Sequence, residues 1–542
     1  MAFTPPASFP FRLPTVPDPI LDGLTPAADA PERGMWLPPS QWPLVAIHAA
    51  LLPDGRVVSF GSPTGGTAQA GRIFDIWDPV AGQGDEAHWQ SPNAVGVDSF
   101  CASAAWIGPG RLMVAGGNSE RATSILDPDS RVSSNAATLA AGRWYGTMLT
   151  LADGRALMVG GSAAYADGGY INASAYLNAD GSSDLIAMTP EVYSPQSGWR
   201  QLSGATSRDA FGPDYNRYWY PRAWVAGDGS VVGLSAQTLW RLDADANSGA
   251  GSIEVTGTFK SPVDELARPN VGVTASAVMF DRGRVLQVGG NGYHNGDTSA
   301  ADSTISYRTS SSKQATIIDF GDPSRPSIRE TASMHHPRQW HNVTVLPDGQ
   351  VFVSGGTRYA NYGGDDAVRN GEIWNPDTGT WRETAAASRI RVYHSTALLL
   401  PNGTVLTAGG GVPGPVLNLD AEVFVPPGLF ARDAGGAVRL AKRPVLESAS
   451  TLTPGYGTHM QLALAGSSTI RRIALIGLGN VTHSFDSGQR RQTLSFTQRG
   501  AVLDVELPAR AALAPPGYYM LTALDASDVP SRAVIIRLGF GV

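Results

Sequence analysis

"LPNGTVLTAGGG", residues 400–411, contains the pattern that decides the fold: an Asn-Gly turn precedes an apolar strand that ends in small residues. Turns of this type join antiparallel strands in tight hairpins. We find the pattern seven times along the chain, with turn glycines at Gly55, Gly110, Gly154, Gly229, Gly283, Gly349 and Gly403. The repetition predicts seven β-hairpins of one design.

A further element follows most of the hairpins and contains an aromatic residue with a Pro turn, as in "EVYSPQSGW" (191–199) and "EIWNPDTGTW" (372–381). Four strands per unit, at a period of roughly 45 to 75 residues, are typical of kelch-like propellers. We therefore predict an all-β chain with a seven-bladed kelch-like β-propeller over residues 41–435. The alternative is a set of unrelated hairpins that share only their turn chemistry.

The regions on either side of the repeats differ from them in pattern. Residues 436–542 contain short alternating strands such as "THMQLALAG" (458–466), which predict an immunoglobulin-like β-sandwich. Residues 1–40 are rich in Pro, and we expect an extended lead into the propeller.

Composition excludes several classes of function. The net charge is −7 and no block of like charges occurs, so nucleic acid and anionic membranes are not expected partners. No apolar run is long enough to span a bilayer, and the N-terminus lacks the pattern of a signal peptide. The single cysteine, Cys101, excludes an internal disulfide. These features predict a small molecule or a neutral polymer as the partner. We also expect a monomer.

The repeat register places Cys101 beside other reactive side chains. In a propeller, residues at a fixed offset before each turn should form one ring around the axis. The positions nine residues before the turn glycines are Ala46, Cys101, Tyr145, Tyr220, Thr274, Trp340 and His394. Phenol and imidazole groups suit a metal such as copper, and Tyr393 could face the same ion as His394. The alternative is that these side chains only pack and form hydrogen bonds around the axis.

Four segments then resemble the active-site segments of the copper radical oxidases, the galactose oxidase and glyoxal oxidase group. They are "DSFCASAAWIGPGRLMVAGGN" (98–118), "GRWYGTMLTLADGRALMVGGS" (142–162), "RVYHSTALLLPNGTVLTAGGG" (391–411) and "THSFDSGQRR" (482–491). The C-terminal "PPGYYMLTALDASDVPS" (515–531) is similar to the closing sandwich domain of that family. The resemblance covers about residues 40–542.

The resemblance implies a mononuclear copper ion held by Tyr145, Tyr393, His394 and His483, the last delivered by a loop of the C-terminal domain. It also implies a thioether between Cys101 and the ring of Tyr145, which holds the radical of the active enzyme. Tyr393 would take the hydroxyl proton of the substrate as general base, and the Tyr145 radical would remove a hydrogen atom from the carbinol carbon. Copper and dioxygen would complete the cycle with release of hydrogen peroxide.

The expected pocket departs from galactose oxidase. Ala163 stands where that enzyme has the tryptophan over its thioether, and Tyr218 where it has a sugar-binding arginine, so galactose is a doubtful substrate. The pattern looks nearer to the glyoxal oxidase branch, and a primary alcohol or aldehyde is expected. Candidate cover or substrate residues are Tyr218, Trp219, Tyr220, Tyr293, His294 and Trp340. For each, channel packing is the alternative.

Two other functions remain possible from the sequence. A kelch-like interaction scaffold would not need Cys101 or Tyr145, and a propeller hydrolase or lyase would need paired carboxylates, which the ring lacks. His335 and His336 are expected at the surface or mouth rather than at a second metal. The family resemblance implies a secreted or cell-surface protein.

Overall fold

The computed structural model describes residues 9–63, 68–165, 176–258, 272–290, 310–359, 361, 364–412, 414 and 416–540. In these ranges the α-helices are two short segments, α1 (Ala30–Arg33) and α2 (Arg208–Phe211), and nearly all other regular structure is β-strand. The all-β prediction is confirmed.

Six of the predicted repeats form four-stranded antiparallel units from consecutive strands in the described ranges. They follow three short strands, β1 (Phe11–Arg12), β2 (Met35–Trp36) and β3 (Ser40–Gln41). The first three units comprise β4 (Leu44–Leu51), β5 (Val57–Pro63), β6 (Ile73–Trp77) and β7 (His88–Pro92); β8 (Ala102–Gly108), β9 (Arg111–Gly116), β10 (Thr123–Asp127) and β11 (Val132–Asn135); and β12 (Trp144–Thr150), β13 (Ala156–Ser162), β14 (Glu191–Ser194) and β15 (Gly198–Gln201).

The next three units have the same order. They comprise β16 (Arg222–Val225), β17 (Val231–Ser235), β18 (Thr238–Asp243) and β19 (Ser252–Thr258); β20 (Ser276–Asp281), β21 (Arg284–Val288), β22 (Ala315–Asp319) and β23 (Ser327–Thr331); and β24 (Asn342–Val345), β25 (Val351–Ser354), β26 (Asn370–Asn375) and β27 (Thr380–Ala386).

The seventh unit takes its outer strands from the N-terminal segment. Its own strands are β28 (Ser395–Leu399), β29 (Val405–Gly409) and β30 (Asp420–Val425), and β2 and β3 both pair with β30. Part of the Pro-rich lead therefore closes the last unit, because its backbone groups complete the edge of that sheet.

Burial falls from the first strand of a unit to the fourth. Every position of β4 and β8 is buried, whereas β7, β11 and β23 are mostly exposed or partly exposed. The first strands therefore lie innermost. All seven predicted turn glycines have positive φ, between 62° and 96°, as the tight turns require.

The C-terminal region has strands in two layers around a separate apolar core. A separate hairpin, β31 (Phe430–Arg432) and β32 (Val438–Leu440), precedes it and packs its apolar residues against the core that includes the repeats. The strands of the C-terminal region are β33 (Leu446–Ala449), β34 (His459–Leu464), β35 (Ile470–Gly477), β36 (Asn480–Thr482), β37 (Phe485–Leu494), β38 (Phe496–Arg499), β39 (Val502–Glu506), β40 (Gly517–Asp525) and β41 (Val534–Leu538). Strand β1 pairs with β33, so the N-terminal segment also contacts this region.

One hairpin of this region enters the repeat units. Strand β36 pairs with β4, and β37 pairs with β20, so the β36–β37 hairpin lies between two innermost strands. Residues 483 and 484 form its tip. The hairpin brings a segment from outside the repeats to the centre of the repeat region.

Candidate metal centre

Five of the seven positions nine residues before the turn glycines share an unusual backbone conformation, and Ala46 and Thr274 do not. Cys101, Tyr145, Tyr220, Trp340 and His394 all have positive φ, from 40° to 70°. A left-handed conformation is unfavourable for residues with a side chain and is maintained only where the surrounding structure fixes it. The predicted register is therefore visible as a repeated backbone feature at the entry of the inner strands.

Backbone hydrogen bonds connect neighbouring members of this ring. The N–H of Tyr145 donates to the carbonyl of Cys101 at 3.1 Å, and the N–H of Tyr220 donates to the carbonyl of Tyr145 at 2.7 Å. Trp340 donates to Thr274 in the same way. These bonds hold consecutive units at one level.

The five residues predicted from the family resemblance lie together and are buried. Candidate ligand atoms of Cys101, His394 and His483 lie within 4.8 Å of one another, and Cys101 Sγ is 3.5 Å from His483 Nε2. The ring of Tyr145 is 4.8 Å from that of His483, and the ring of Tyr393 stacks on His394 at 3.7 Å. The tip of the β36–β37 hairpin thus meets the entry of three inner strands.

Hydrogen bonds select the tautomers of both histidines. His394 Nδ1 lies 2.8 Å from the carbonyl oxygen of Gly411 and 2.9 Å from that of Val412. A carbonyl only accepts, so Nδ1 carries the proton and Nε2 presents a lone pair. That buried Nε2 has no hydrogen-bond partner among the described residues.

The tautomer of His483 is fixed through Thr482. The hydroxyl of Thr482 donates to the carbonyl of Ile47 at 3.0 Å and lies 2.7 Å from His483 Nδ1. Both contacts are satisfied together when His483 Nδ1 donates to the hydroxyl. His483 Nε2 then also presents a lone pair, in the arrangement that metal-binding histidines use.

Burial keeps the cluster neutral without a bound cation. It lowers the pKa of His394 to about 4 and that of His483 well below its usual value, so both imidazoles are uncharged at neutral pH and each carries a single N–H. It raises the pKa of the Cys101 thiol and of the Tyr393 phenol well above their usual values. A divalent cation would reverse the preference of the phenol, because it stabilises the phenolate. Two lone-pair nitrogens beside phenol groups therefore fit a copper ion.

Trp144 covers Tyr145, a role that the sequence did not predict for it. Its ring stacks on that of Tyr145 with centroids 3.8 Å apart and planes at 12°. The expected cover residues are also near: Trp219 and Tyr220 lie 5.2 and 4.9 Å from Tyr145. In the sequence, the one feature that could have identified Trp144 as a cover residue is its position immediately before Tyr145.

Other predicted pocket residues occupy different places. Trp340 lies beside Tyr393, with ring centroids 4.5 Å apart, and Tyr218 is buried 6.0 Å from Trp219. Tyr293 and His294 lie outside the described residues. His335 and His336 each contact a carboxylate rather than the cluster, on Glu372 and Glu383 respectively.

Asp486 shapes the hairpin that carries His483, and the sequence did not single it out. Its Oδ1 accepts the N–H groups of Asn480, Gly488 and Gln489 at 2.8 to 3.0 Å. Burial outweighs these three bonds and raises the pKa of Asp486 to about 6. The carboxylate therefore closes the β36–β37 turn from within.

Buried Arg-carboxylate pairs recur close to the ring in three units. Arg143 pairs with Glu191 and Arg338 with Glu372, each at 2.7 Å with fully buried side chains. Near His394, Arg391 contacts Asp420 at 2.7 Å and Glu422 at 3.8 Å. Each carboxylate offsets the cost of burying the guanidinium charge.

None of the helices among the described residues has the length and apolar character needed to cross a membrane.

Comparison with known proteins finds similar sequences over most of the chain. The family model described as "Galactose oxidase-like, Early set domain" matches residues 443–538. A galactose oxidase of Gibberella zeae is 29% identical over 531 residues, which are 94% of this chain and 71% of that protein. The aldehyde oxidase GLOX1 of Arabidopsis thaliana is 24% identical over 82% of this chain and 72% of its own length. These values do not favour the predicted closeness to the glyoxal oxidase branch.

A solved structure shares the fold. That structure is of a protein described as a novel fungal alcohol oxidase with catalytic diversity among the AA5 family, in complex with copper. The two structures agree with a TM-score of 0.77 and 24% sequence identity, over 94% of this chain and all of the other. The relatives and the matched C-terminal domain support the resemblance to the galactose oxidase-like copper radical oxidases, and the solved structure shows a shared fold.

Proposed function

We propose that this protein is a mononuclear copper radical oxidase that oxidises a primary alcohol or aldehyde with O₂ and releases H₂O₂. The observation that carries the proposal is the pair of fixed lone pairs on His394 and His483, which converge on a buried cluster of Cys101 and two tyrosines. In this proposal, copper is held by Tyr145, Tyr393, His394 and His483. When bound, it supplies a Lewis acid and a one-electron acceptor.

In this proposal, each of three residues has a separate role in the reaction. Tyr393 accepts the hydroxyl proton of the substrate, and the Tyr145 radical removes a hydrogen atom from the carbon that bears the oxygen. Trp144 stacks on the Tyr145 ring and keeps solvent from that face. The substrate loses two hydrogens in total, and O₂ takes them up as H₂O₂.

The proposal includes a covalent bond between Cys101 Sγ and the ring of Tyr145. The new C–S bond replaces one S–H and one ring C–H bond, so two protons and two electrons leave, with O₂ as the acceptor. The positive φ of both residues and the hydrogen bond between their backbones support their mutual approach. This pair would be a cofactor made from the chain itself.

We also propose an architecture for the whole chain: a lead over residues 1–40, seven propeller blades over 41–435, and an immunoglobulin-like sandwich over 436–542. The supporting observations are the seven sheet units, the closure of the last by β2 and β3, and the separate apolar core of the C-terminal strands. A monomer that is secreted or held at the cell surface fits the family.

Intact mass spectrometry after aerobic loading with copper tests the central claim. The parent should lose the mass of two hydrogens relative to the unmodified chain. Cys101→Ala and Tyr145→Phe should not, whereas Tyr218→Phe, which alters another buried tyrosine nearby, should lose them as the parent does. An unchanged parent mass would refute the thioether.

Peroxide release then tests the reaction. We expect the copper-loaded parent to form H₂O₂ with members of a panel of primary alcohols and aldehydes, and the Cys101→Ala variant to be strongly impaired. Absence of peroxide from a parent that has lost two hydrogens would contradict the oxidase assignment while leaving the thioether intact.

A further inference from the structure

A second pocket lies at the base of the β36–β37 hairpin, away from the metal centre. It has a volume of about 70 Å³ and lies between β8, β12 and β16 on one side and the C-terminal strands on the other. Its lining includes Trp106, Trp224, Asn480, Arg490 and Tyr518 and none of the candidate copper ligands. Trp106 follows Cys101 by five residues along β8, so the two sites are on the order of 15 Å apart.

Two indole N–H groups of this pocket have no acceptor. Trp106 and Trp224 are 7% and 3% exposed, and each Nε1 is buried without a hydrogen-bond partner among the described residues. Buried donors are rarely left unpaired, because each costs about 1 to 3 kcal/mol. Both residues line the same cavity.

Arg490 adds a cation to the same pocket. Among the described residues, its guanidinium makes no ion pair and no side-chain hydrogen bond, whereas the buried Arg143, Arg338 and Arg391 each face a carboxylate. Burial lowers the pKa of Arg490, as expected for a charge with little hydration. The lining residues include neither Asp nor Glu within the described chain. The pocket therefore has a positive charge without a counter-ion.

The acceptors at hand are already engaged. Asn480 Oδ1 contacts His48 Nε2, and the carbonyl of Pro515 accepts the hydroxyl proton of Tyr519. The hydroxyl of Thr150 donates to the carbonyl of Trp106. The remaining walls include apolar residues, among them Leu149 and Pro516. An excess of donors, one cation and an apolar wall together suit a small acid with a short apolar tail.

We propose that this pocket binds a small carboxylate anion, with Arg490 and the indole N–H groups of Trp106 and Trp224 as its donors. The bound anion would also stabilise the base of the hairpin, since Asn480 and Arg490 both belong to its strands. The binding needs no copper, so it can be tested apart from the oxidase function.

Thermal unfolding of the full-length, copper-free protein tests the proposal. Sodium acetate is titrated at constant ionic strength against sodium chloride, and the apparent affinity is taken from the saturating rise of the midpoint. We expect Arg490→Gln to lose about tenfold or more in affinity, because a charge-assisted hydrogen bond is lost. Arg325→Gln, which changes a guanidinium 90% exposed at the surface, should titrate like the parent.

Trp224→Phe provides a second test if Arg490→Gln does not fold. It keeps an aromatic ring but removes the N–H donor, and calorimetric titration with acetate should show a weaker affinity by several-fold. No midpoint rise with acetate over chloride would overturn the proposal. So would equal acetate affinities of the parent and of whichever of the two variants folds.

Discussion

His394 and His483 present the same atom to the same point, but different parts of the chain deliver them. His394 stands at the entry of β28, and two backbone carbonyls hold its Nδ1 proton. His483 stands at the tip of a C-terminal hairpin, and the Thr482 hydroxyl holds its Nδ1 proton. The first arrangement depends on two backbone carbonyls in a left-handed segment that requires glycine at 411, whereas the second depends on one side chain.

The structural support of the two histidines differs in the same way. Near His394, Arg391 contacts Asp420 and Glu422, a motif that other units repeat. The His483 hairpin is held by Asp486, whose single oxygen accepts three backbone N–H groups. A ligand within a repeat inherits its support from the repeat, whereas a ligand brought from outside needs its own.

The largest effect is expected where the repeat supports His394. Glu422→Ala should lower the free energy of unfolding by about 3 to 5 kcal/mol, because it leaves Arg391 short of a buried counter-charge. It also removes the acceptor of the Ser388 and Arg389 N–H groups. Chemical denaturation measures the loss.

Glu32→Ala is the matched control, since Glu32 pairs with Arg432 at an exposed position. Glu32→Ala should lower the free energy of unfolding by at most about 1 kcal/mol. Equal losses for the two variants would show that burial of the Arg391 pair adds nothing to the support of His394.

The hairpin should show its own dependence on pH through Asp486. Its folded-state pKa, raised to about 6 by burial, exceeds the usual value of 3.8. The protonated carboxyl is thus favoured by folding. The contribution of the protonated carboxyl to the free energy of unfolding is complete below about pH 4 and is lost as the pH rises through about 6.

Asp486→Asn keeps the accepting Oδ1 and abolishes this titration. The unfolding free energy of the variant relative to the parent should rise by about 2 kcal/mol between pH 4 and pH 7, since each pKa unit corresponds to about 1.4 kcal/mol and part of the change already occurs below pH 4. Denaturation curves over this range provide the measurement. Parallel pH profiles would contradict an electrostatic cost at Asp486.

Copper affinity compares the two histidines directly. His483→Ala and His394→Ala should each weaken binding of copper(II) by more than about 100-fold, which exceeds the effect of changing a residue that only supports a ligand. Competition with a chelator measures the affinity. His459→Ala, an exposed histidine beside Asp504, is the control. A His483→Ala variant with parental affinity would remove the hairpin from the metal site.

The repeat predicted one part of the molecule well. The spacing of turn glycines placed Cys101, Tyr145 and His394 at one level, and the structure brings them together because the three innermost strands that follow them start with the same left-handed backbone. His483 lies outside any repeat, so only the family resemblance identified it. Thr482 and Asp486, which support it, read as ordinary loop residues, because the Thr482 hydroxyl meets its Ile47 acceptor only across the β36–β4 pairing and Asp486 meets its three N–H donors only within the folded hairpin.

The stacking of Trp144 on Tyr145 was missed for a related reason. Consecutive strand residues normally point to opposite faces of a sheet. The left-handed backbone at Tyr145 interrupts that alternation, and the same occurs at His394, whose ring stacks on that of Tyr393. No apolar pattern reports this backbone conformation, so the sequence allowed Tyr393 and His394 to share a face but gave no reason to place Trp144 over Tyr145.

The smallest effect on copper affinity should appear at Thr482. A variant at this position tests most directly whether His483 and His394 are supported in different ways. Thr482→Val keeps the shape of the side chain but removes the hydroxyl that accepts the Nδ1 proton of His483 and donates to Ile47. Copper affinity should fall by about tenfold, within the range known for partners of metal-bound histidines. Chelator competition measures this, with Thr497→Val on β38 as a control away from the cluster.

His394 offers no equivalent side chain to remove, because its Nδ1 partners are the Gly411 and Val412 carbonyls. If Thr482→Val binds copper as tightly as the parent, the hydroxyl does not position the His483 ring. The insertion of the hairpin alone would then suffice to orient His483. A tenfold loss would instead show that a ligand from outside the repeat depends on a side chain for what the repeat supplies through backbone.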